Sequence, residues 1–117
     1  MNLEQLRQYI LSKKAAEECT PFGEDTLVYK LMGKIFAITS FAIPCTVNLK
    51  CDPELAVELR EQHEDVQPGY HMNKKHWNKV RVDGRLSKKE VEKQIDHSYE
   101  LILESLPKKL KDEYSKL

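Results

Sequence analysis

The fold is decided by residues 26–50, which read TLVYKLMGKIFAITSFAIPCTVNLK. Apolar, β-branched and aromatic side chains dominate three runs of this stretch and predict strands at about 26–32, 35–41 and 45–50. The runs are separated by Gly33-Lys34 and by Ile43-Pro44, where hairpin turns are expected. Because strands joined by short turns usually pair with each other, the stretch predicts an antiparallel meander.

Helical patterns lie on both sides of this meander. Residues 2–18 carry apolar side chains at a spacing of three to four positions, which predicts an amphipathic helix with Asn2 as its N-cap. A second helix is expected to begin after Asp52, because Pro53 suits the first helical position and an acidic residue follows it. This helix should end near His63.

The rest of the chain predicts two more strands and a final helix. Residues 66–82 have extended character, with a turn at Pro68-Gly69. Ser87 and Glu90 have the spacing of a capping box, so a long helix should begin there, and the short charged segment after Pro107 is expected to fray. The order α-β-β-β-α-β-β-α predicts an α+β fold of two layers, with helices on one face of an antiparallel sheet.

The composition is that of one folded domain spanning residues 1–117. With 40% hydrophobic residues, 4 glycines and 5 prolines, disorder is excluded, and 19 basic against 19 acidic side chains exclude a strongly basic, indiscriminate polyanion binder. Cys19, Cys45 and Cys51 are odd in number and lack Cys-x-x-Cys spacing, so we expect reduced thiols in a cytoplasmic protein. We expect no signal peptide and no membrane partner, since the longest apolar region is shorter than the ~20 residues that cross a bilayer.

The charges are unevenly distributed along this neutral chain. Through Pro68 there are 7 basic and 11 acidic residues, whereas from Gly69 onward there are 12 basic and 8 acidic residues. The segment 71–89 contains seven lysines and arginines and a single acid, Asp83. This local excess predicts a basic patch. The alternative is that these are solvated lysines of the kind that protect strand edges from pairing with other chains.

Strand alternation indicates which side chains share a surface. Val80 and Val82 should face the helices, so Trp77, Lys79 and Arg81 should lie on the opposite face, joined by Lys50 from the third strand of the meander. An aromatic side chain beside cations on an open sheet is suited to phosphates and to base stacking. The alternative is that a loop or the C-terminal tail covers Trp77, since tryptophan is usually well buried.

Patterns typical of catalysis are not recognisable. We find neither a nucleophile with its base, nor a carboxylate pair, nor a glycine-rich phosphate loop. Cys45 and Cys51 fall on the same side of the strand alternation as apolar residues, which predicts buried thiols. Asp96 and His97 are adjacent in sequence and should point to different sides of their helix. The acidic residues near the first helix are too sparse for an oxygen-ligand metal site. We therefore expect a protein that is not an enzyme and needs no metal or cofactor.

The basic segment also carries a recognisable motif, the decapeptide Pro68-Gly69-Tyr70-His71-Met72-Asn73-Lys74-Lys75-His76-Trp77. Together with further motif residues, it resembles the MmcQ/YjbR family of small bacterial proteins over essentially the whole chain. Those further residues are Thr20-Pro21-Phe22-Gly23, Val28-Tyr29-Lys30, Val47-Asn48-Leu49-Lys50, Asp52-Pro53-Glu54 and Asp96-His97-Ser98-Tyr99.

The resemblance implies a CyaY-like or secretion-chaperone-like fold, with a five-stranded antiparallel sheet in the order 1-2-5-4-3. It also implies DNA binding through a double-wing arrangement, in which the motif residues Asn73, Lys74, Lys75, His76 and Trp77 contact the nucleic acid. Charge and strand parity add Lys79, Arg81, Arg85 and Lys50 to this site.

Two alternatives remain open. His71, Asn73 and His76 can instead have a structural role, satisfying backbone groups where two strands meet. A protein-interaction adaptor, docking through the open sheet or the acidic N-terminal half, is the alternative to a DNA-binding protein. In either case we expect a monomer.

Overall fold

The structure, a computed structural model, describes residues 1–69 and 72–117. Within these residues the elements are α1 (Leu3–Leu11), β1 (Ala16–Cys19), β2 (Thr26–Leu31), β3 (Lys34–Ser40), β4 (Thr46–Lys50), α2 (Pro53–Gln62), β5 (Val66–Pro68), β6 (Trp77–Arg81), α3 (Lys88–Ser105) and α4 (Lys108–Ser115). The three strands of the predicted meander are therefore confirmed as β2, β3 and β4. No helix in the described part of the chain is long and apolar enough to span a membrane.

All six strands described form one antiparallel sheet, in the order β1-β2-β3-β4-β6-β5. The α+β class is confirmed, but the expected five strands in the order 1-2-5-4-3 are wrong. The third predicted strand, β4, lies inside the sheet between β3 and β6 rather than at an edge. The short β3–β4 connection makes these strands neighbours, and α2 then carries the chain to the far edge, from which β6 returns to pair with β4.

The strand that raises the number from five to six is β1, and it lies in the segment predicted to be helical. The helix expected over residues 2–18 begins at its predicted cap, where Asn2 and Gln5 form a capping box, but it ends at Leu11. Ala15 then adopts a left-handed φ of 63°, and the following residues pair with β2 as β1. Alanine and glutamate favour helices locally, but hydrogen bonding along β2 outweighs that weak preference.

The C-terminal segment also differs from expectation, because it forms helix α4 rather than a frayed end. The Tyr114 hydroxyl lies 2.8 Å from that of Tyr99 on α3, and the Tyr99 hydroxyl donates to the carbonyl of Lys14 at 2.6 Å. The Lys14 ammonium lies 4.3 Å from the centre of the Tyr114 ring. These contacts hold α4 against α3 and the α1–β1 turn.

The helices cover one face of the sheet, and alternation along the strands decides what they cover. Val47 and Leu49 of β4, with Asn78 and Val80 of β6, are buried on the helix side. The intervening side chains of both strands are half-buried or exposed. The buried residues of α3 include Val91, Ile95, Ser98 and Ile102, which recur at the three- to four-residue spacing of one helix face.

Ser98 joins α3 to the sheet through two main-chain hydrogen bonds. Its hydroxyl donates to the carbonyl of Phe36 at 2.5 Å and accepts from the N–H of Lys50 at 2.9 Å. Ser98 is fully buried, so water cannot replace either bond. The helix itself begins as predicted, since the Ser87 hydroxyl accepts from the N–H of Glu90. The Glu90 carboxylate, which a capping box would direct back to Ser87, accepts from the Gln94 side chain.

Arg60 of α2 fixes the turn that precedes β6. Its Nε donates to Oδ1 of Asn78 at 2.7 Å, and its Nη2 donates to the carbonyl of Lys74. Asn78 is only 1% exposed, and its Nδ2 donates to the carbonyl of Ala56 at 3.5 Å. The buried amide thus connects α2 to β6, and the guanidinium extends this connection to the turn.

We predict that Ser98→Ala lowers the free energy of unfolding by about 2–4 kcal/mol, because it leaves the Lys50 N–H and the Phe36 carbonyl without their partner. Urea denaturation measures this change. Ser105→Ala is the control, since Ser105 is exposed and its hydroxyl donates to the carbonyl of Ile102 within its own helix. Its effect should be below about 0.5 kcal/mol. Equal effects of the two substitutions would contradict the role of Ser98.

We predict that Arg60→Gln lowers the free energy of unfolding by about 2 kcal/mol. The substitution removes charge-assisted hydrogen bonds and leaves Oδ1 of the buried Asn78 without its donor. The amide of Cys51, which donates to the carbonyl of His76 at 2.7 Å, should then exchange its hydrogen faster. Hydrogen exchange read residue by residue detects this change. Glu58→Gln, an exposed change on the same helix, should leave Cys51 protected. Unchanged exchange in Arg60→Gln would contradict the account.

Candidate functional site

The solvent face of β4 and β6 carries the central part of the predicted site. Directly paired residues on neighbouring strands point to the same side, and the register pairs Lys50 with Trp77, Asn48 with Lys79 and Thr46 with Arg81. These three pairs form successive rows, separated by two residues or ~6.8 Å along the strand. The predicted alternation is therefore confirmed, and Lys50, Trp77, Lys79 and Arg81 share one face. Trp77 is half-buried, whereas Lys79 and Arg81 are exposed.

Next to these rows, the same face forms a shallow groove of about 480 Å³, which we call the sheet groove. Its apolar lining consists of Phe22, Ile35, Ile38 and Met72. Its polar lining includes the Asn48 and Lys79 side chains and the hydroxyl residues Thr26, Ser40 and Thr46. Lys79 therefore belongs both to the rows formed by β4 and β6 and to the sheet groove.

Two of the predicted cations already have carboxylate partners. Arg81 Nε lies 2.8 Å from Oδ1 of Asp83, and Arg85 Nη1 lies 3.2 Å from Oε2 of Glu64. The hydrogen bond from the Cys45 N–H, followed by the Arg81 contact, holds the pKa of Asp83 below its ordinary value. Asp83 is therefore ionised at neutral pH and offsets the charge of Arg81.

The other predicted residues do not all join this face. Lys75 lies beside α2, in a depression shared with Glu54 and Glu58. Arg85 lies beside the α2–β5 connection, where its N–H donates to Oδ2 of Asp65 at 2.7 Å. The basic segment is thus distributed over at least three places, and only part of it contributes to the sheet face.

The described part of the decapeptide makes structural contacts. Asn73 Oδ1 accepts from the N–H of Lys75 at 2.9 Å, and the main chain of His76 bonds to both Asn73 and Cys51. Gly69 donates to the carbonyl of Trp77 at 2.9 Å, and a Cβ at Gly69 would lie 3.0 Å from Cβ of Trp77, so this close approach favours glycine. The Asn73 side chain thus satisfies a backbone N–H, as the structural alternative expects, whereas the contacts of His76 run through its main chain. The role expected of His71 lies outside the described residues.

The apolar lining of the sheet groove is not among the residues predicted from the sequence. Phe22 stands out in the sequence only as part of the motif Thr20-Pro21-Phe22-Gly23, because β1 is not predicted and the loop after it therefore has no defined neighbours. Ile38 falls in the strand predicted at 35–41, for which the sequence analysis names no outward face. The available signal was alternation in β3, where Ile38 is flanked by the buried residues Ala37 and Thr39.

Groups considered for catalysis occupy structural positions. Cys45 and Cys51 are buried as predicted, and burial raises the pKa of Cys51 to about 11, which keeps it a thiol at neutral pH. Asp96 accepts from the Tyr9 hydroxyl at 2.5 Å, whereas Nε2 of His97 accepts from the N–H of Asp52 at 3.2 Å. The two neighbours thus have separate partners, as expected. Among the described residues, no three His, Cys, Asp or Glu side chains are grouped to hold a metal ion.

Comparison with known proteins relates this arrangement to a family. Uncharacterized protein YjbR of Escherichia coli strain K12 is 35% identical over 108 residues, covering 92% of both chains. Uncharacterized protein YbdF of Escherichia coli O157:H7 is 34% identical over 108 residues, covering 91% of this chain and 88% of that protein.

Solved structures agree with this relationship. The crystal structure of Deinococcus radiodurans protein DR2400 matches with a TM-score of 0.91 and 31% identity, covering 97% of this chain and 88% of that chain. A Pseudomonas syringae protein matches with a TM-score of 0.77 and 30% identity, covering 86% of this chain and 98% of that chain. The YjbR family model matches residues 11–101, and the chain therefore belongs to the YjbR family.

Proposed function

We propose that the protein binds DNA weakly and without catalysis through the open sheet face around Trp77 and Lys79. The observation that supports this proposal is the shared face of Trp77, Lys79 and Arg81 on β6, with Lys50 beside them on β4. Cations attract phosphates, and the accessible part of a half-buried aromatic ring can contact bases or sugars. We further propose a cytoplasmic monomer, in keeping with three free thiols.

Weak binding follows from the ion pairs near this face. Arg81 and Arg85 would give up contacts with Asp83 and Glu64 to reach phosphates. Lys50 and Lys79 then supply the main charge, and two neutralised phosphates correspond to a slope of about −2 for log affinity against log salt.

A protein-interaction adaptor is the second candidate, and a separate observation favours it. Phe22, Phe41 and Ile43 are 66%, 53% and 94% exposed. The pairing of Thr26 with Ser40 brings the connections that contain them to the same end of the sheet. Exposed apolar side chains gathered at one end of a sheet offer a surface for a protein partner. A protein partner retained in a pull-down after nuclease treatment would favour this candidate.

We predict that Lys79→Gln weakens binding to a short DNA duplex and makes the salt slope less steep by about 1, because one phosphate contact is lost. Fluorescence anisotropy across a range of salt concentrations measures both quantities. Lys108→Gln on α4 is the matched control and should change neither. The proposal fails if the unaltered protein binds no nucleic acid at low salt and tens of micromolar concentration, or if the two variants behave alike.

A further inference from the structure

We infer that the nucleic acid bound by this face is a single strand, with a base seated in the sheet groove and its phosphate at Lys79. This inference rests on the proposed function and specifies its ligand class. The charge pattern, the lining of the groove and the positions of the aromatic side chains support it independently of one another.

The charge pattern is poorly suited to a duplex. Double-stranded DNA presents one negative charge per ~1.7 Å of its axis, so a duplex binder needs many cations in fixed register. Here Glu64 and Asp65 line a depression together with Lys79 and Arg81 at the edge of the face. Carboxylates at this edge repel the second line of phosphates that a duplex would bring, whereas one flexible strand can avoid them.

The sheet groove is suited to a base. Its volume of about 480 Å³ lies within the ~300–1,000 Å³ of small-ligand sites. Ile35, Ile38 and Met72 offer apolar surface to the flat face of a base, a face that is exposed in a single strand and stacked inside a duplex. Asn48 and Thr46 place amide and hydroxyl groups in the same lining, where they can bond to base edges.

Two aromatic side chains extend this site in opposite directions from Lys79. Phe22 lines the groove with Thr26, Ser40 and Thr46, and Thr46 is in the row of Arg81. Trp77 lies on the other side of Lys79, one row along β6. A cation between two aromatic side chains is the arrangement by which proteins follow a single strand with little sequence preference.

The test is fluorescence anisotropy at low salt with oligothymidylate, with its duplex of the same length, and with oligouridylate. Oligothymidylate should bind at least about tenfold more tightly than the duplex. Phe22→Ala should weaken single-strand binding about tenfold, through loss of base stacking, and leave duplex binding unchanged. Phe41→Ala is the matched control, because Phe41 is similarly exposed at the same end of the sheet but is outside the groove lining.

The outcomes separate this inference from the proposed function. If no oligonucleotide binds, the proposed function and the inference both fail. If the duplex binds as tightly as the single strand, DNA binding stands and the single-strand inference is overturned. Equal behaviour of Phe22→Ala and Phe41→Ala overturns the placement of the base in the groove. Tighter binding of oligouridylate than of oligothymidylate supports single-strand binding and identifies the bound strand as RNA. Thermal melts confirm that the variants are folded.

Discussion

The register of β6 against β4 is the constraint on which the rest of this structure depends. Val80 pairs with Val47 inside the sheet, and Lys79 pairs with Asn48 on the outer face. A shift by one residue would reverse every side chain of β6, burying Lys79 and exposing Val80. Asn78 opposes such a shift, because its buried amide is bonded to α2 through Arg60 and Ala56. The same hydrogen bonds that stabilise the fold therefore keep the cations on the solvent side.

The binding proposed for this face depends on local charge rather than on total charge. The chain carries 19 basic and 19 acidic side chains, and the basic excess after Pro68 is partly offset by nearby acids in the folded chain. Asp83 and Glu64 pair with arginines. Lys50 lies opposite Trp77, and Lys79 lies between the apolar groove lining and the depression that contains Glu64 and Asp65. The result is a face with few cations beside a groove whose lining includes Phe22, Ile35, Ile38 and Met72. Such a surface favours stacking over phosphate contacts.

Sequence reasoning succeeded where the determining interactions are local. The meander, the Asp52-Pro53 helix start and the alternation of β6 follow from turn residues, capping and side-chain period. It failed where distant residues decide the result. Residues 16–19 have helical propensity but pair with β2, and the position of β4 between β3 and β6 depends on where α2 returns the chain. The ion pair of Arg85 with Glu64, 21 residues away, was likewise not visible in the pattern.

The central claim is that the groove side of the sheet face is where a polynucleotide binds. A heteronuclear NMR titration of the labelled protein with oligothymidylate tests it most directly, since it reports every backbone amide at once. The account predicts that shift changes concentrate at Ile38, Asn48, Lys79 and the loop containing Phe22, with α3 and α4 unaffected. Changes confined to the lysines of α4, or to the outer surface of α2, would contradict it.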